Sequence, residues 1–398
     1  MRRTRPTIFA LAILISAPLA APGQDDGPKA GRAVPPKVGD RVVLTFGANL
    51  RATKEGPAPV LQPPAPGDHR NAFRVYRVER VEVTWAWLQA ELDGVSGWAE
   101  AAETMSIDRA FERASEEILA NPDNSGSFIN RAILWSMKGE IDLAIADYDE
   151  AIRLDPVSTT ALNNRGGLRR LKGETDRAID DFTAVLRIDP SYAAAYCNRG
   201  ITWKSKDIAR AIDDFTNAIR IDPEHAIAHN GRGNAYREKK ELDRAIADFT
   251  KAIQIEPRYS QAYANRGMAH RAKNDYAHAI NDYSEAIRIE PKNAWALNNL
   301  AWLLSICPES KSRDGKRAIE AATHACELTK WKNPNNIDTL AAACAETGDF
   351  DSAVRWQEKV QPLFADEEAR KGGKERLDLY RSGKPYRELV APEIKRRS

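Results

Sequence analysis

Six prolines recur at nearly constant spacing through the middle of this chain. They are Pro122, Pro156, Pro190, Pro223, Pro257 and Pro291, separated by 34, 34, 33, 34 and 34 residues. Similar phrases end at five of them, namely AIRLDP, VLRIDP, AIRIDP, AIQIEP and AIRIEP. A period of 34 residues holds two helices of about three and a half turns and two tight turns. The spacing therefore predicts a tandem array of helical hairpins.

The first helix of each unit carries a bulky residue followed by Asn, Arg and a small residue. The segments Tyr196–Gly200 and Tyr263–Gly267 show this order. A small side chain lets a neighbouring helix approach closely, and large residues on either side fill the remaining space. The small residues of four units are Gly166, Gly200, Gly233 and Gly267.

The second helix has apolar residues at i, i+3, i+4 and i+7, the spacing of one buried face. One unit shows it in Ala245, Ile246, Phe249, Ala252 and Ile253. Acids lie early in this helix and arginines late, which suits the helix macrodipole. Because acids such as Asp213 and Asp214 recur once per unit, we expect a solvated helix face rather than a catalytic pair.

These residues resemble the tetratricopeptide repeat (TPR), with a small eighth residue, Ala at twenty, an aromatic at twenty-four and Pro at thirty-two. Five repeats follow within 125–293, at 125–158, 159–192, 193–225, 226–259 and 260–293. The one-residue deletion in the third falls in the turn at 205–208. The resemblance implies a mainly α fold, a right-handed α-solenoid. It also implies a protein or peptide partner in place of catalysis.

Further segments flank the five repeats. Residues 294–362 predict two degenerate repeats, and 363–398 a capping helix at 367–380 with a tail. A solenoid needs such a polar cap at its open end. Residues 105–124 predict an orphan helix at 107–120 that joins the solenoid to the preceding segment.

The N-terminus has the layout of a secretory signal peptide at 1–23. A positive segment, Met1–Arg5, precedes the apolar run Ile8–Ala21, which is too short to span a bilayer comfortably. Residues 24–36 are rich in Gly, Pro and Asp and predict a linker. We expect a periplasmic or secreted protein with no transmembrane segment after signal removal; an uncleaved anchor is the alternative.

Residues 37–104 have a different pattern of apolar residues from the repeats. Apolar and β-branched residues alternate in 38–44, 73–78 and 85–88, which predicts strands. A proline-rich loop lies between them at 52–69. The segment resembles a small all-β SH3-like barrel of the bacterial type. Two roles stay open for it: binding cell-wall peptidoglycan, or capping the solenoid.

The sequence offers no convincing site for a reaction, cofactor or metal ion. A net charge of +2 argues against nucleic-acid binding. His229 and His270 occupy repeat positions filled elsewhere by aromatic residues, so we assign them to packing. The four cysteines are predicted to be buried free thiols, with a Cys307–Cys344 bridge left open. We therefore predict a non-enzymatic scaffold in the cell envelope, or alternatively a peptidoglycan-associated adaptor.

The candidate peptide-binding residues share the inner side of the first helices, as the resemblance implies. A ladder of amides could hold an extended main chain without reading its sequence; alternatively, each amide bonds a neighbouring helix. The ladder occupies the sixth repeat position and is interrupted by Gly231: Asn130, Asn164, Asn198, Asn265 and Asn299. Other predicted contacts on this side are Asn234, Arg237, Arg271 and Trp295.

Overall fold

A computed structural model describes residues 41–44, 75–82, 85–90, 96–100 and 104–388. The predicted signal peptide (1–23), linker (24–36) and proline-rich loop (52–69) lie outside them. The chain divides into two compact units, Met1–Arg210 and Ala211–Ser398.

Five strands precede the helices: β1 (Arg41–Leu44), β2 (Val75–Glu82), β3 (Trp85–Ala90), β4 (Ser96–Glu100) and β5 (Thr104–Ser106). They form one antiparallel sheet in the order β4-β3-β2-β1-β5. Val42 pairs with Tyr76 on one side and Ser106 on the other. Three strands overlap the segments whose alternation predicts them, and the SH3-like barrel itself stays a prediction.

The first unit continues with helices. They are α1 (Ile107–Ala120), α2 (Ser125–Lys138), α3 (Ile141–Leu154), α4 (Thr159–Leu171), α5 (Thr175–Ile188) and α6 (Ala193–Trp203). After α1, these helices alternate between the first and the second helix of a repeat. Helix α7 (Ile208–Ile221) contains the division between the units. The Ser106 hydroxyl caps α1 by accepting from the Arg109 amide at 3.2 Å. α1 coincides with the helix predicted at 107–120.

The second unit contains nine complete helices among the described residues. They are α8 (Ala226–Glu238), α9 (Leu242–Ile255), α10 (Ser260–Ala272), α11 (Tyr276–Ile289), α12 (Ala294–Ile306), α13 (Gly315–Leu328), α14 (Pro334–Glu346), α15 (Phe350–Val360) and α16 (Glu367–Arg381). The extra residues of the sixth repeat form a short 3₁₀ turn at Ser310–Ser312. Within the described part of the chain, every helix is too short or too polar to cross a membrane.

In three hairpins, at Gly166, Gly233 and Gly267, a ring from the second helix lies on a glycine of the first helix. A Cβ on Gly166 would lie 2.8 Å from the Phe182 ring, and one on Gly233 equally close to Phe249. Gly231 has the same constraint, because its Cβ would lie 2.5 Å from the Phe215 ring. Gly231, the residue that interrupts the asparagine series, thus lies against the Phe215 ring of the preceding helix.

The prediction of a solvated acidic face is wrong for the recurrent aspartate of the second helix. Asp214 is 5% exposed and Asp282 only 2%, whereas Asp213 is exposed. In four hairpins this aspartate receives two hydrogen bonds of 2.6–3.1 Å from an arginine sixteen residues earlier. The pairs are Arg131–Asp147, Arg165–Asp181, Arg232–Asp248 and Arg266–Asp282. A charge-assisted pair offsets the cost of burying the carboxylate.

The end of the second unit is held by α16, which packs Tyr380 and Leu377 inward. Arg376 of α16 donates two hydrogen bonds of 2.9 and 2.8 Å to the buried Asp338 of α14. The cysteines are free and buried, as predicted: Cys197, Cys307, Cys326 and Cys344.

Candidate peptide-binding surface

The central members of the asparagine ladder are buried. Asn164, Asn198 and Asn265 are 1%, 5% and 7% exposed. The Asn198 amide donates to Asn163 Oδ1 at 3.1 Å, and the Asn265 amide donates to Asn230 Oδ1 at 2.9 Å. Asn164 donates to a tyrosine hydroxyl at 3.3 Å. The first two bonds join neighbouring first helices and the third joins α4 to α3, so the geometry favours the structural alternative for these three residues.

The outer members of the ladder lie nearer the surface. Asn130 and Asn299 are both half-buried. The Asn299 amide donates to the Trp295 carbonyl at 2.8 Å. Trp295 is 45% exposed, and its ring contacts the Tyr283 ring edge-on at 6.5 Å between centroids. An exposed tryptophan on a polar helix face is a common anchor in protein interfaces.

A series of cations occupies the twelfth position of the repeats. Sequence reasoning selected Arg237 and Arg271 but missed Arg170 and Lys204, which hold the same position in the second and third repeats. The signal that reveals them is the repeat register itself. Burial lowers the pKa of Arg170, and its Nε makes no hydrogen bond within the described residues. A buried, incompletely bonded guanidinium favours an anionic ligand.

Arg271 binds an acidic side chain from the C-terminal segment of the chain itself. That segment, Lys384–Glu388, follows α16. Arg271 Nη2 donates to Glu388 Oε1 at 2.6 Å. The Glu388 main-chain amide donates to the Ile306 carbonyl at the end of α12, at 3.0 Å. Glu388 thus supplies a carboxylate to Arg271, which the sequence predicts to contact a ligand, and a main-chain hydrogen bond to Ile306.

Two neighbouring residues of the segment add contacts of other kinds. The Tyr386 ring lies 6.1 Å from the Trp302 ring, and the Arg376 guanidinium lies 5.7 Å from the centre of the Tyr386 ring. Arg387 donates to a main-chain carbonyl at 3.2 Å and pairs with Glu346 at 2.5 Å. We name Arg271, Trp302, Ile306, Glu346 and Arg376 the tail surface. It can hold an extended peptide through backbone, charge and ring contacts together.

Arg237 adds positive charge close to this surface. Its Nη2 donates to Asn234 Oδ1 at 3.3 Å, and it has no acidic partner among the described residues. Its Nε and the Tyr283 hydroxyl are buried without a hydrogen bond in that part of the chain. Burial raises the pKa of Tyr283, so its hydroxyl stays protonated and can donate. Each group can donate a hydrogen bond to an acidic ligand.

Three family models match this sequence. Two, described as tetratricopeptide repeat, match residues 138–193 and 226–259, and one, described as TPR repeat, matches 267–304. The protein is thus a helical-repeat protein. The segments that these models match are tetratricopeptide repeats, and proteins built from such repeats are generally scaffolds for protein–protein interaction.

Several solved structures are similar. YrrB, a TPR protein with an unusual peptide-binding site, is 25% identical over 47% of this chain and 97% of its own, with a TM-score of 0.39. The Cut9-Hcn1 structure is 17% identical over 60% and 46%, with a TM-score of 0.53. Pseudomonas aeruginosa pilF is 19% identical over 55% and 96%, with a TM-score of 0.48. No curated protein matches the sequence. The likeness to Cut9-Hcn1 supports the fold, a helical solenoid of TPR hairpins, and nothing finer.

Proposed function

We propose that this protein is a non-enzymatic scaffold that binds an extended, acidic segment of a partner protein. The observation that carries the proposal is the ion pair between Arg271 and Glu388. In this pair the acidic side chain of a tail residue lies against Arg271, a residue that the sequence predicts to face a ligand.

The charge around this surface favours an acid over a base. Arg271 is satisfied by Glu388, whereas Arg237 nearby has no acidic partner among the described residues. A guanidinium can bind a carboxylate through two donors at once. A second acidic residue of a ligand could therefore pair with Arg237. Asn234 positions that guanidinium through its amide oxygen.

The chain's own tail supplies the probe for this proposal. A variant that ends at Gly383 keeps the sixteen α-helices of the described residues and exposes the tail surface. A labelled synthetic peptide of residues 384–398, added in trans, is expected to bind it in a fluorescence-anisotropy titration. R271E should weaken binding at least tenfold, and a peptide carrying E388R should recover affinity for R271E.

A matched control separates a specific contact from general charge attraction. E375K changes an exposed acid of α16 outside the tail surface and should leave peptide affinity unchanged. Circular dichroism establishes that each variant is folded. If the folded truncated chain fails to bind the peptide, or binds it equally well with R271E, the proposed surface is wrong.

A second function, adhesion to cell-wall peptidoglycan, is favoured by one observation. Residues before the helices form a five-stranded antiparallel sheet in the segment that resembles an SH3-like barrel. We propose the envelope as the location, in line with the predicted signal peptide at 1–23. The full chain should co-sediment with purified peptidoglycan and a variant lacking 37–104 should not; equal recovery of both would exclude this role for the sheet.

A further inference from the structure

Two histidines and an aspartate converge at the turn between α10 and α11. His270 Nδ1 lies 3.1 Å from Asp275 Oδ2, and His278 Nδ1 lies 2.8 Å from both carboxylate oxygens of Asp275. One ligand atom from each of the three residues lies within 4.8 Å of the others. The imidazole rings are stacked, with centroids 5.0 Å apart.

Sister repeats place different chemistry at the same positions. In the fourth repeat, Arg244 pairs with Glu241 at 2.7 Å and lies over the Tyr236 ring at 5.6 Å. In the third, Trp203, Asp207 and Arg210 repeat this arrangement, with 4.6 Å between guanidinium and ring centre. The turn therefore tolerates an aromatic, an acid and an arginine. The fifth repeat keeps the acid and replaces both other groups with imidazole, which binds transition metals.

We propose that His270, Asp275 and His278 bind a divalent transition-metal ion, with zinc as the representative. Two imidazoles and a carboxylate are an established zinc ligand set. Ligand atoms at 2.0–2.1 Å from a tetrahedral zinc ion lie about 3.3 Å from one another. The two histidine–aspartate separations of 2.8 and 3.1 Å are somewhat shorter than that edge, and all three ligand atoms lie within 4.8 Å of one another, so side-chain rotations would bring them to the tetrahedral spacing.

Access is compatible with such a site. The side chains of His270, Asp275 and His278 are 15%, 38% and 70% exposed, which leaves room for a water molecule as fourth ligand. Metal ligands must be deprotonated, so the ion would take the place of the protons that lie between the imidazole Nδ1 atoms and Asp275.

The proposed ion would join the two helices of one repeat. His270 belongs to α10, whereas His278 lies in the first turn of α11 and Asp275 caps that helix. Since these positions come together in the folded hairpin, metal binding would stabilise the folded state by mass action. The site is independent of the tail surface and of the proposed peptide function.

The chain offers a built-in control for the test. H270Y/H278R gives the fifth repeat the residues of the fourth at these positions, so it should fold as that repeat does. H324Q alters a histidine of α13 that is outside the cluster. The full chain, produced without a histidine tag and stripped with a chelator, is dialysed against zinc chloride. Cobalt chloride replaces zinc for absorption spectroscopy.

The unaltered chain and H324Q should each bind one zinc ion per chain and show cobalt–imidazole absorption bands. H270Y/H278R should bind zinc at least tenfold more weakly and lose those bands while remaining folded. H270A and D275N tested singly should also weaken binding. Zinc bound equally well by H270Y/H278R, or no zinc bound by the folded unaltered chain, would overturn the proposal.

Discussion

Arg266 holds Asp282 with both arms of its guanidinium, from Nε to Oδ2 at 2.9 Å and from Nη2 to Oδ1 at 2.7 Å. Asp282 is 2% exposed, and the pair joins α10 to α11. Arg266 Nη1 also donates to Thr250 of the preceding hairpin at 3.1 Å. The same arginine thus closes one hairpin and ties it to its neighbour.

Removing this carboxylate should be costly. D282N leaves the Arg266 charge without its partner, and we expect the free energy of unfolding to fall by about 3 kcal/mol. D243N is the control, because Asp243 pairs with Lys273 at the surface and is 83% exposed; we expect it to cost less than about 1 kcal/mol. Urea titrations followed by circular dichroism measure both. Equal costs would contradict a buried role for the pair.

Replacing a ladder asparagine should affect stability, not ligand binding. N198A removes the donor to Asn163 Oδ1 in the interior, and the loss should cost about 1–3 kcal/mol. N217A is a suitable control, since the Asn217 amide bonds an exposed carbonyl of its own helix and should change stability little. Thermal unfolding compares them. N198A is also tested in the chain that ends at Gly383. If this folded variant binds the tail peptide less tightly than the same truncated chain with Asn198, the asparagine ladder takes part in binding.

The tail contact should be controlled by charge. E388K places a cation opposite Arg271, so residues 384–388 should leave the tail surface. The main-chain amide of residue 388 donates to the Ile306 carbonyl. Its hydrogen–deuterium exchange should become at least tenfold faster in E388K. E375K should leave this exchange rate unchanged. Unchanged protection in E388K would show that Arg271 does not hold the tail.

The buried thiols should react slowly with thiol reagents near neutral pH. Burial raises the pKa of Cys326 to about 12 and of Cys344 to about 11. At pH 8 the native chain should therefore react slowly with a thiol reagent such as DTNB, whereas all four thiols react rapidly in denaturant. The raised pKa values mean that the folded state favours the neutral thiols. The stability that this contributes is present below about pH 9 and is lost as pH rises toward 11 and 12. Rapid reaction of folded protein would contradict their burial.

Local signals in the sequence predict most of the helical fold. The proline period gives the repeat bounds, and the capping helix predicted at 367–380 is observed at Glu367–Arg381. Periodicity works here because each hairpin depends on residues close in sequence. It fails for the buried aspartates, since their arginine partners lie in another helix. It also fails for Asn164, Asn198 and Asn265, whose burial depends on the stacking of one repeat on the next.

The residues of the proposed sites also differ in how far the sequence alone reveals them. Arg237 and Arg271 stand out in the sequence because they share one repeat position, and the same criterion would have found Arg170. Glu388 carries no such signal, since it lies outside every repeat. His270 resembles a packing residue in sequence, and its proximity to His278 depends on the turn between two helices.

The hairpins and the tail differ in how far along the chain their contacts reach. Arg–Asp pairs and ring–glycine contacts join residues only sixteen apart, so the repeats have low contact order and can begin to fold at any hairpin. The Arg271–Glu388 pair spans 117 residues and requires the helices between α10 and α16 to be in place. Closure of the tail is therefore expected to be a late folding event, and protection of the Glu388 amide would report a completely assembled C-terminal unit.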